Sequence, residues 1–273
     1  MEKNKYKLLL TQKNYMRLLI ADLISRFGDS LDAIAYSWIM YEITASESLM
    51  ALIIGLNYVP TVLFQPFLGV LADKMKKKKI MVTMDIVRGI IVGSVILLYS
   101  MNMLTPIVLG ILTIVTSTVE AIRMPAGTAF LPMVLEKDYY TLGKAANYSF
   151  SRSAELVGFV LAGGMISWIG SMGVLFIDMF TFFISAIFIG TIHDSEIIRK
   201  TEKGIKLVFE GFKEGLCFFK SNKVIQLVCL IGLLINFGIM PLSVFQTPYV
   251  ADYLMLGPEM LSVIKICMVL GMS

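Results

Sequence analysis

Long runs without a charged residue constrain this chain more than any other feature. No Asp, Glu, Lys or Arg occurs in residues 48–72, and none occurs in residues 89–119. A helix needs about 20 apolar residues to cross a lipid bilayer. With 57% hydrophobic residues and a mean hydropathy of +0.78, the chain is too apolar for a single water-soluble core. The sequence therefore predicts an all-α membrane protein with several spans.

Glycine, proline and asparagine divide the apolar runs into separate helices. Asn102 and Pro106 separate the third span from the fourth, and Gly170 and Gly173 separate the fifth from the sixth. We expect spans at residues 17–40, 48–72, 80–99, 107–124, 149–168, 174–192 and 224–251, and the start of an eighth near residue 261.

The distribution of Lys and Arg predicts the orientation of these spans. With seven spans, 21 of the 24 cations fall on one side of the membrane, and the remaining three lie inside predicted helices. Because Lys and Arg are retained in the cytoplasm, we expect a multi-pass protein of the cell membrane with a cytoplasmic N-terminus. The same bias accounts for the net charge of +4, so no nucleic-acid partner is expected.

Charged residues inside the spans are the main candidates for function, because they are costly in lipid. The first span carries Arg26, Asp29 and Asp32, with the first two roughly 14 and 18 Å below its inner end at Arg17. Asp178 in the sixth span and Asn57 in the second join them as candidates for the substrate or proton pathway. For Asp29 the alternative is a structural ion pair with Arg26, three residues away.

Three further pairs with the same spacing lie near the predicted cytoplasmic ends of their helices. We interpret them as structural ion pairs or as a gate at the cytoplasmic mouth. They are Asp85 with Arg88, Glu120 with Arg123, and Arg152 with Glu155.

Several chemistries are excluded by composition. Three Cys and one His provide neither a disulfide framework nor an imidazole metal site, so no metal or other cofactor is expected. No nucleophile–base pair occurs among the spans, which argues against a membrane enzyme.

A short cytoplasmic loop after the second span carries a family resemblance. Residues 69–81 read G-V-L-A-D-K-M-K-K-K-K-I-M, which resembles the signature loop of the major facilitator superfamily. The resemblance implies that the loop latches one conformation of a transporter. The matching positions are Gly69, Leu71, Asp73, Lys74, Lys77 and Lys78.

A longer block gives a second resemblance. It reads R-M-P-A-G-T-A-F-L-P-M-V-L from Arg123, then L-G-K-A-A-N, then E-L-V-G-F-V-L-A-G-G. This is similar to the macrolide-efflux and enterobactin-exporter-like branch of that superfamily. The implied fold is the N-terminal six-helix half of a facilitator bundle, followed by a seventh helix and part of an eighth.

The resemblance implies three segments. Residues 1–193 form the six-helix bundle, residues 194–223 form a cytoplasmic amphipathic linker, and residues 224–273 begin a second, truncated half. The linker expectation also rests on apolar residues at helical spacing between Lys and Glu.

The implied function is secondary active export of a hydrophobic or amphipathic small molecule. The substrate is a drug of macrolide type or a siderophore, and protons are the candidate coupling ion of an antiporter that could confer antibiotic resistance. Two alternatives remain open: a truncated protein that does not transport, or a half-transporter that needs a second chain.

Overall fold

The computed structural model describes three long stretches of the chain, residues 8–46, 75–193 and 217–257. It also describes residues 49, 59–60, 63, 213, 259–261, 263–264 and 267. Most of the predicted second span, most of the predicted linker and much of the predicted eighth span lie outside these residues.

Five long helices account for most of the described residues. They are α1 (Lys13–Thr44), α2 (Lys77–Ser100), α3 (Pro106–Val134), α4 (Tyr140–Gly190) and α5 (Lys223–Pro248). A 3-10 turn at Lys137–Tyr139 precedes α4, and a π-helical turn at Tyr249–Tyr253 follows α5.

Local sequence signals explain where several helices begin and break. The Thr105 side chain accepts a hydrogen bond from the Val108 amide, and Pro106 occupies the first helical position, where its missing N–H does no harm. Asn222 caps α5 in the same way. In α4, Gly170 has φ +74°, which breaks the helix into a first limb at 140–169 and a second limb at 171–190. The expected division at Gly170 is thus confirmed.

The expected end of the fourth span at residue 124 is wrong. Helix α3 continues through Pro125 and Pro132 to Val134. Each proline removes one backbone hydrogen bond, but the turns beyond Pro125 bury Ala126 and Phe130 in the bundle, and this burial favours continuing the helix. The fifth helix likewise begins at Tyr140, well before the expected residue 149.

Within the described residues, three helical segments are long and apolar enough to cross a membrane. They are Lys77–Ser100, Pro106–Val134 and Lys137–Gly190. Helix α1 has 32 residues, also enough to cross, but it carries charged residues along much of its length. It packs most extensively against α4.

The bundle contains two apolar cores. One is built around Leu31, Val92, Leu109 and Phe182, and the other around Leu18, Met81, Phe130 and Ile189. In α1, α2 and α3, charged residues lie between the segments that contribute to the two cores. In the second limb of α4, Ser185 lies between Phe182 of the first core and Ile189 of the second, and Asp178 lies one turn before Phe182. We call this layer the charged band; its residues are Asp22, Asp29, Asp85, Arg88, Arg123, Asp178 and Ser185.

Candidate functional site: a charged band inside the helix bundle

An ion pair between two helices occupies the middle of the band. Asp29 lies halfway along α1 and Arg88 halfway along α2, and Arg88 Nη2 donates to Asp29 Oδ1 at 2.6 Å. The Arg88 guanidinium also stacks over the Phe182 ring, 4.0 Å from its centroid. Arg26 approaches the other oxygen of Asp29 only to 3.5 Å. The closest charged partner of Asp29 is therefore Arg88, on another helix.

A second cluster lies in the same band and is centred on Arg123 of α3. Its guanidinium holds the fully buried Asp85 of α2 through two nitrogens, with Nη2 to Oδ2 at 3.2 Å, and it reaches Asp22 of α1 at 3.5 Å. Ser185 donates to Asp85 at 2.8 Å, and Asn147 donates to Asp22 at 3.0 Å. All four helices of the band are thus joined by one network.

These contacts correct two of the expected intrahelical pairs. Asp85 binds Arg123 rather than Arg88, and Arg88 binds Asp29. Arg123 binds Asp85 and Asp22 rather than Glu120. A neighbouring helix can place a carboxylate against the arginine inside the bundle. A residue three positions away can meet the arginine only along the surface of their own helix.

The third expected pair is present as an ion pair within its helix. Arg152 Nη1 lies 2.6 Å from Glu155 Oε2, and half of the Arg152 side chain is exposed. Pairs of this kind on an exposed helix face contribute little to stability, about 0–1 kcal/mol.

Asp178 lies fully buried in the second limb of α4, facing α1. The Thr181 hydroxyl donates to the Asp178 carbonyl at 2.6 Å and lies 3.4 Å from its Oδ1. A side chain at Gly28 of α1 would collide with both Asp178 and Thr181, so the glycine allows the α1 backbone to approach the carboxyl. Asp178 is therefore enclosed between two helices rather than placed at a surface.

Three polar atoms around Asp178 have no hydrogen-bond partner within the described part of the chain. They are Asp178 Oδ2, Asp32 Oδ1 and Arg88 Nε. The Asp32 carboxyl interacts electrostatically with Asp178, Arg88 and Asp29. Buried polar atoms without partners are rare, because each loses its hydration without compensation. Asp178, Asp32 and Arg88 therefore have hydrogen-bonding capacity that the described residues leave unused.

Lys77 and Lys78, the members of the predicted signature loop that the structure describes, form the start of α2 beside the end of α4. Lys78 Nζ donates to the Ile192 carbonyl at 2.7 Å, and Lys77 is buried. Arg17 of α1 donates to the Thr191 carbonyl at 2.5 Å. Cations stabilise the carbonyl end of a helix. Arg17 of α1 and Lys78 of α2 therefore both bind and stabilise the end of α4. The other candidates, Asn57, Gly69, Leu71, Asp73 and Lys74, lie outside the described residues.

The structure also adds residues that sequence reasoning missed. Thr181 and Ser185 were detectable as hydroxyl residues three and seven positions after Asp178 in an apolar helix. Asn147 belonged to the quoted family block, but no local signal connects it with Asp22. Gly28 and Phe182 carry no charge and gave no signal before the helices were packed together.

Comparison with known proteins establishes the family. The family model described as "Transmembrane secretion effector" matches residues 9–258. The chain therefore belongs to this family of the major facilitator superfamily, a class of multi-pass membrane transporters.

Curated relatives share the similarity over much of the chain. The uncharacterized MFS-type transporter YkuC of Bacillus subtilis (strain 168) is 24% identical over 80% of this chain and 52% of its own length. Macrolide efflux protein A of Streptococcus pyogenes is 23% identical over 91% of this chain and 62% of its own. The putative bacilysin exporter BacE of Bacillus subtilis (strain 168) is 32% identical over 63% of this chain and 42% of its own. The chain thus spans about half of the length of these relatives. No solved structure matches it.

Proposed function

We propose that this chain exports a hydrophobic or amphipathic small molecule from the cell by secondary active transport, in exchange for protons. The proposal is supported by the family and by relatives named for macrolide efflux and bacilysin export. In this proposal no covalent chemistry occurs and the chain is not an enzyme. The bilayer surrounds the spans. The substrate crosses the membrane as the helices of the bundle rock around a central site.

The coupling site we propose consists of Asp32 and Asp178, with Arg88 beside them. The observation that carries this assignment is the pair of buried carboxylate oxygens without a hydrogen-bond partner next to one guanidinium. A buried carboxylate without a partner is unstable, and binding a proton removes its charge. Opening the band toward one side of the membrane would hydrate the carboxyls and release the proton there.

In this mechanism the ion pair between Asp29 and Arg88 has a positioning role. It keeps Arg88 near both carboxyls while balancing its charge when they are protonated. When a proton leaves Asp178 or Asp32, the guanidinium gains a competing partner, and the packing of α2 against α4 changes. Interfaces with two alternative ion pairings are well suited to switching between two states.

The remaining assignments complete the proposal. The N-terminus and the Lys-rich loop lie in the cytoplasm, and residues 1–193, 194–223 and 224–273 act as first bundle, linker and start of a second bundle. Lys77 and Lys78, at the start of α2, hold one conformation closed through the end of α4. The ion pair of Arg152 with Glu155 lies at the cytoplasmic mouth of the gate.

The proposal is tested in everted membrane vesicles from cells that express the full chain. Respiration acidifies the vesicle interior, and a fluorescent amine reports the pH gradient. We expect a macrolide, bacilysin or another amphipathic substrate to release protons and partly restore fluorescence. The Asp178→Asn variant should lose this response, while Asp138→Asn, at an exposed turn, should retain it. An unchanged response in Asp178→Asn would exclude this carboxyl from coupling.

A further inference from the structure

A cavity of about 390 Å³ opens between α1, α3 and the first limb of α4. Its volume lies within the range of small-molecule pockets, about 300–1,000 Å³. It reaches the band at Asp22 and Arg123 but contains neither Asp32 nor Asp178 among its lining residues. The cavity is therefore distinct from the proposed coupling site.

Positive charge exceeds negative charge on the cavity wall. The wall carries four cations, Arg26, Arg123, Lys144 and Arg152, and two carboxylates, Asp22 and Glu155. Both carboxylates are already bound, Asp22 by Arg123 and Asn147 and Glu155 by Arg152. Lys144 forms no ion pair within the described residues, and Arg26 pairs with Asp29 through Nη1 at 3.5 Å, which leaves its other guanidinium nitrogens without an ion pair there. Lys144 and those nitrogens, on facing helices, can therefore bind a ligand.

Ser25 supplies an independent indication that a ligand is missing. It lines the cavity, its side chain is only 2% exposed, and its Oγ has no hydrogen-bond partner in the described chain. Serines in helices commonly donate to the carbonyl four residues earlier, as Ser30 of α1 does to Arg26 at 2.9 Å. Ser25 does not, so its hydroxyl remains free to donate to an acceptor inside the cavity.

The rest of the wall suits the body of an amphipathic molecule. Met124 and Leu131 provide flexible apolar surface, and Tyr140 and Tyr148 provide aromatic rings. We propose that the cavity binds an amphipathic anion, with its carboxylate or phosphate between Ser25, Arg26 and Lys144 and its apolar body against these side chains. Such groups bind oxyanions through charge-assisted hydrogen bonds. Binding of the anion does not depend on the proposed export function. Only the interpretation of this anion as the exported substrate class rests on that function.

Direct binding to the purified full chain tests the site without requiring transport. Three water-soluble probes with the same phenyl group and similar length, 4-phenylbutyrate, 4-phenylbutanamide and 4-phenylbutylamine, are titrated by calorimetry in detergent. We expect the carboxylate to bind about tenfold or more tightly than the amide and the amine, because only it carries a negative charge that pairs with both cations. Equal affinity for all three probes would overturn the proposal.

Variants identify the wall that binds the carboxylate. Lys144→Gln and Ser25→Ala should each weaken phenylbutyrate binding about fivefold to tenfold and leave binding of the amide nearly unchanged. Both are mild changes, because Lys144 is exposed and Ser25→Ala removes only a hydroxyl without a partner. The control Lys137→Gln removes the same charge from an exposed turn outside the cavity and should have no effect. Equal affinity in Lys144→Gln and Lys137→Gln would contradict the assignment.

Nanodiscs distinguish the two sources of such an anion. If phosphatidylglycerol nanodiscs weaken phenylbutyrate binding relative to phosphatidylcholine nanodiscs, the cavity takes a lipid headgroup; if not, it takes a free solute. Either result supports an oxyanion site. If phenylbutyrate fails to bind while vesicles still exchange protons for substrate, this inference fails and the export proposal stands. If phenylbutyrate binds but the vesicles do not exchange protons for substrate, the export proposal fails and this inference stands.

Discussion

At the scale of single residues, the band is defined by ion pairs that join different helices. The sequence identified nearly all of its charged members, because a charge in a long apolar helix is conspicuous. It assigned Asp85 and Arg88 to each other, since spacing along one helix is the only geometry that a sequence displays. The observed partners, Arg123 for Asp85 and Asp29 for Arg88, depend on how the helices cross.

The buried network predicts a large effect for removing one carboxylate charge. Asp85→Asn leaves the Arg123 guanidinium without its main partner, and breaking a buried pair on one side costs about 3–5 kcal/mol. We expect a clear fall in the thermal unfolding midpoint of the purified protein in detergent.

The control for this change is Glu155→Gln, which breaks a half-exposed pair with Arg152. Such pairs contribute about 0–1 kcal/mol, so the unfolding midpoint should hardly move. Equal shifts in the two variants would show that the band does not stabilise the bundle in the way described.

At the scale of helices, the sequence located breaks better than ends. Gly170 was identified as a break because glycine adopts positive φ without strain, and the structure has it at φ +74°. The fourth span was expected over residues 107–124, yet α3 continues to Val134, because burial of Ala126 and Phe130 depends on neighbours that the local sequence does not reveal. Start and stop residues therefore predict the ends of a helix reliably only where packing against neighbouring helices does not favour a different end.

Two glycines of the first limb of α4 should respond in opposite directions to the same substitution. A Cβ at Gly158 would lie 2.6 Å from Ser30 Cβ and 2.9 Å from the Phe27 carbonyl, so Gly158→Ala must separate α1 from α4. We expect a loss of about 1–3 kcal/mol in the free energy of unfolding.

Gly164→Ala is the matched control in the same limb, because nothing lies within 4 Å of its Cβ. Alanine is favoured over glycine within a helix by about 0.5–1 kcal/mol, so this variant should be neutral or more stable. Unfolding in increasing denaturant measures both variants. A Gly158→Ala protein as stable as Gly164→Ala would contradict the close contact of the two helices.

At the scale of the molecule, two apolar cores enclose a charged band. The sequence predicted the class of this architecture from composition and uncharged runs, and the family model confirms it. It did not predict the cavity beside the band, because Ser25, Lys144 and Arg152 come together only when α1 and α4 pack. The cation distribution remains the basis for the proposed orientation.

Cysteine labelling in intact cells tests that orientation. In a background with Cys217, Cys229 and Cys267 replaced by Ser, we expect a Thr105→Cys variant to react with a membrane-impermeant maleimide from outside. A Lys137→Cys variant should react only after the membrane is permeabilised. These positions lie at opposite ends of α3, so the reverse labelling pattern would invert the proposed topology.

Proton-driven movement of substrate is the central claim of this account. Its most direct test uses proteoliposomes containing the purified full chain, an imposed pH gradient, and the substrate that gave the strongest response in vesicles. With an acidic interior, the wild-type protein should accumulate substrate, and reversing the gradient should reverse the net movement. The Asp32→Asn, Asp178→Asn double variant should show no dependence on the gradient. Wild-type uptake that is the same with either gradient and with none would contradict the claim.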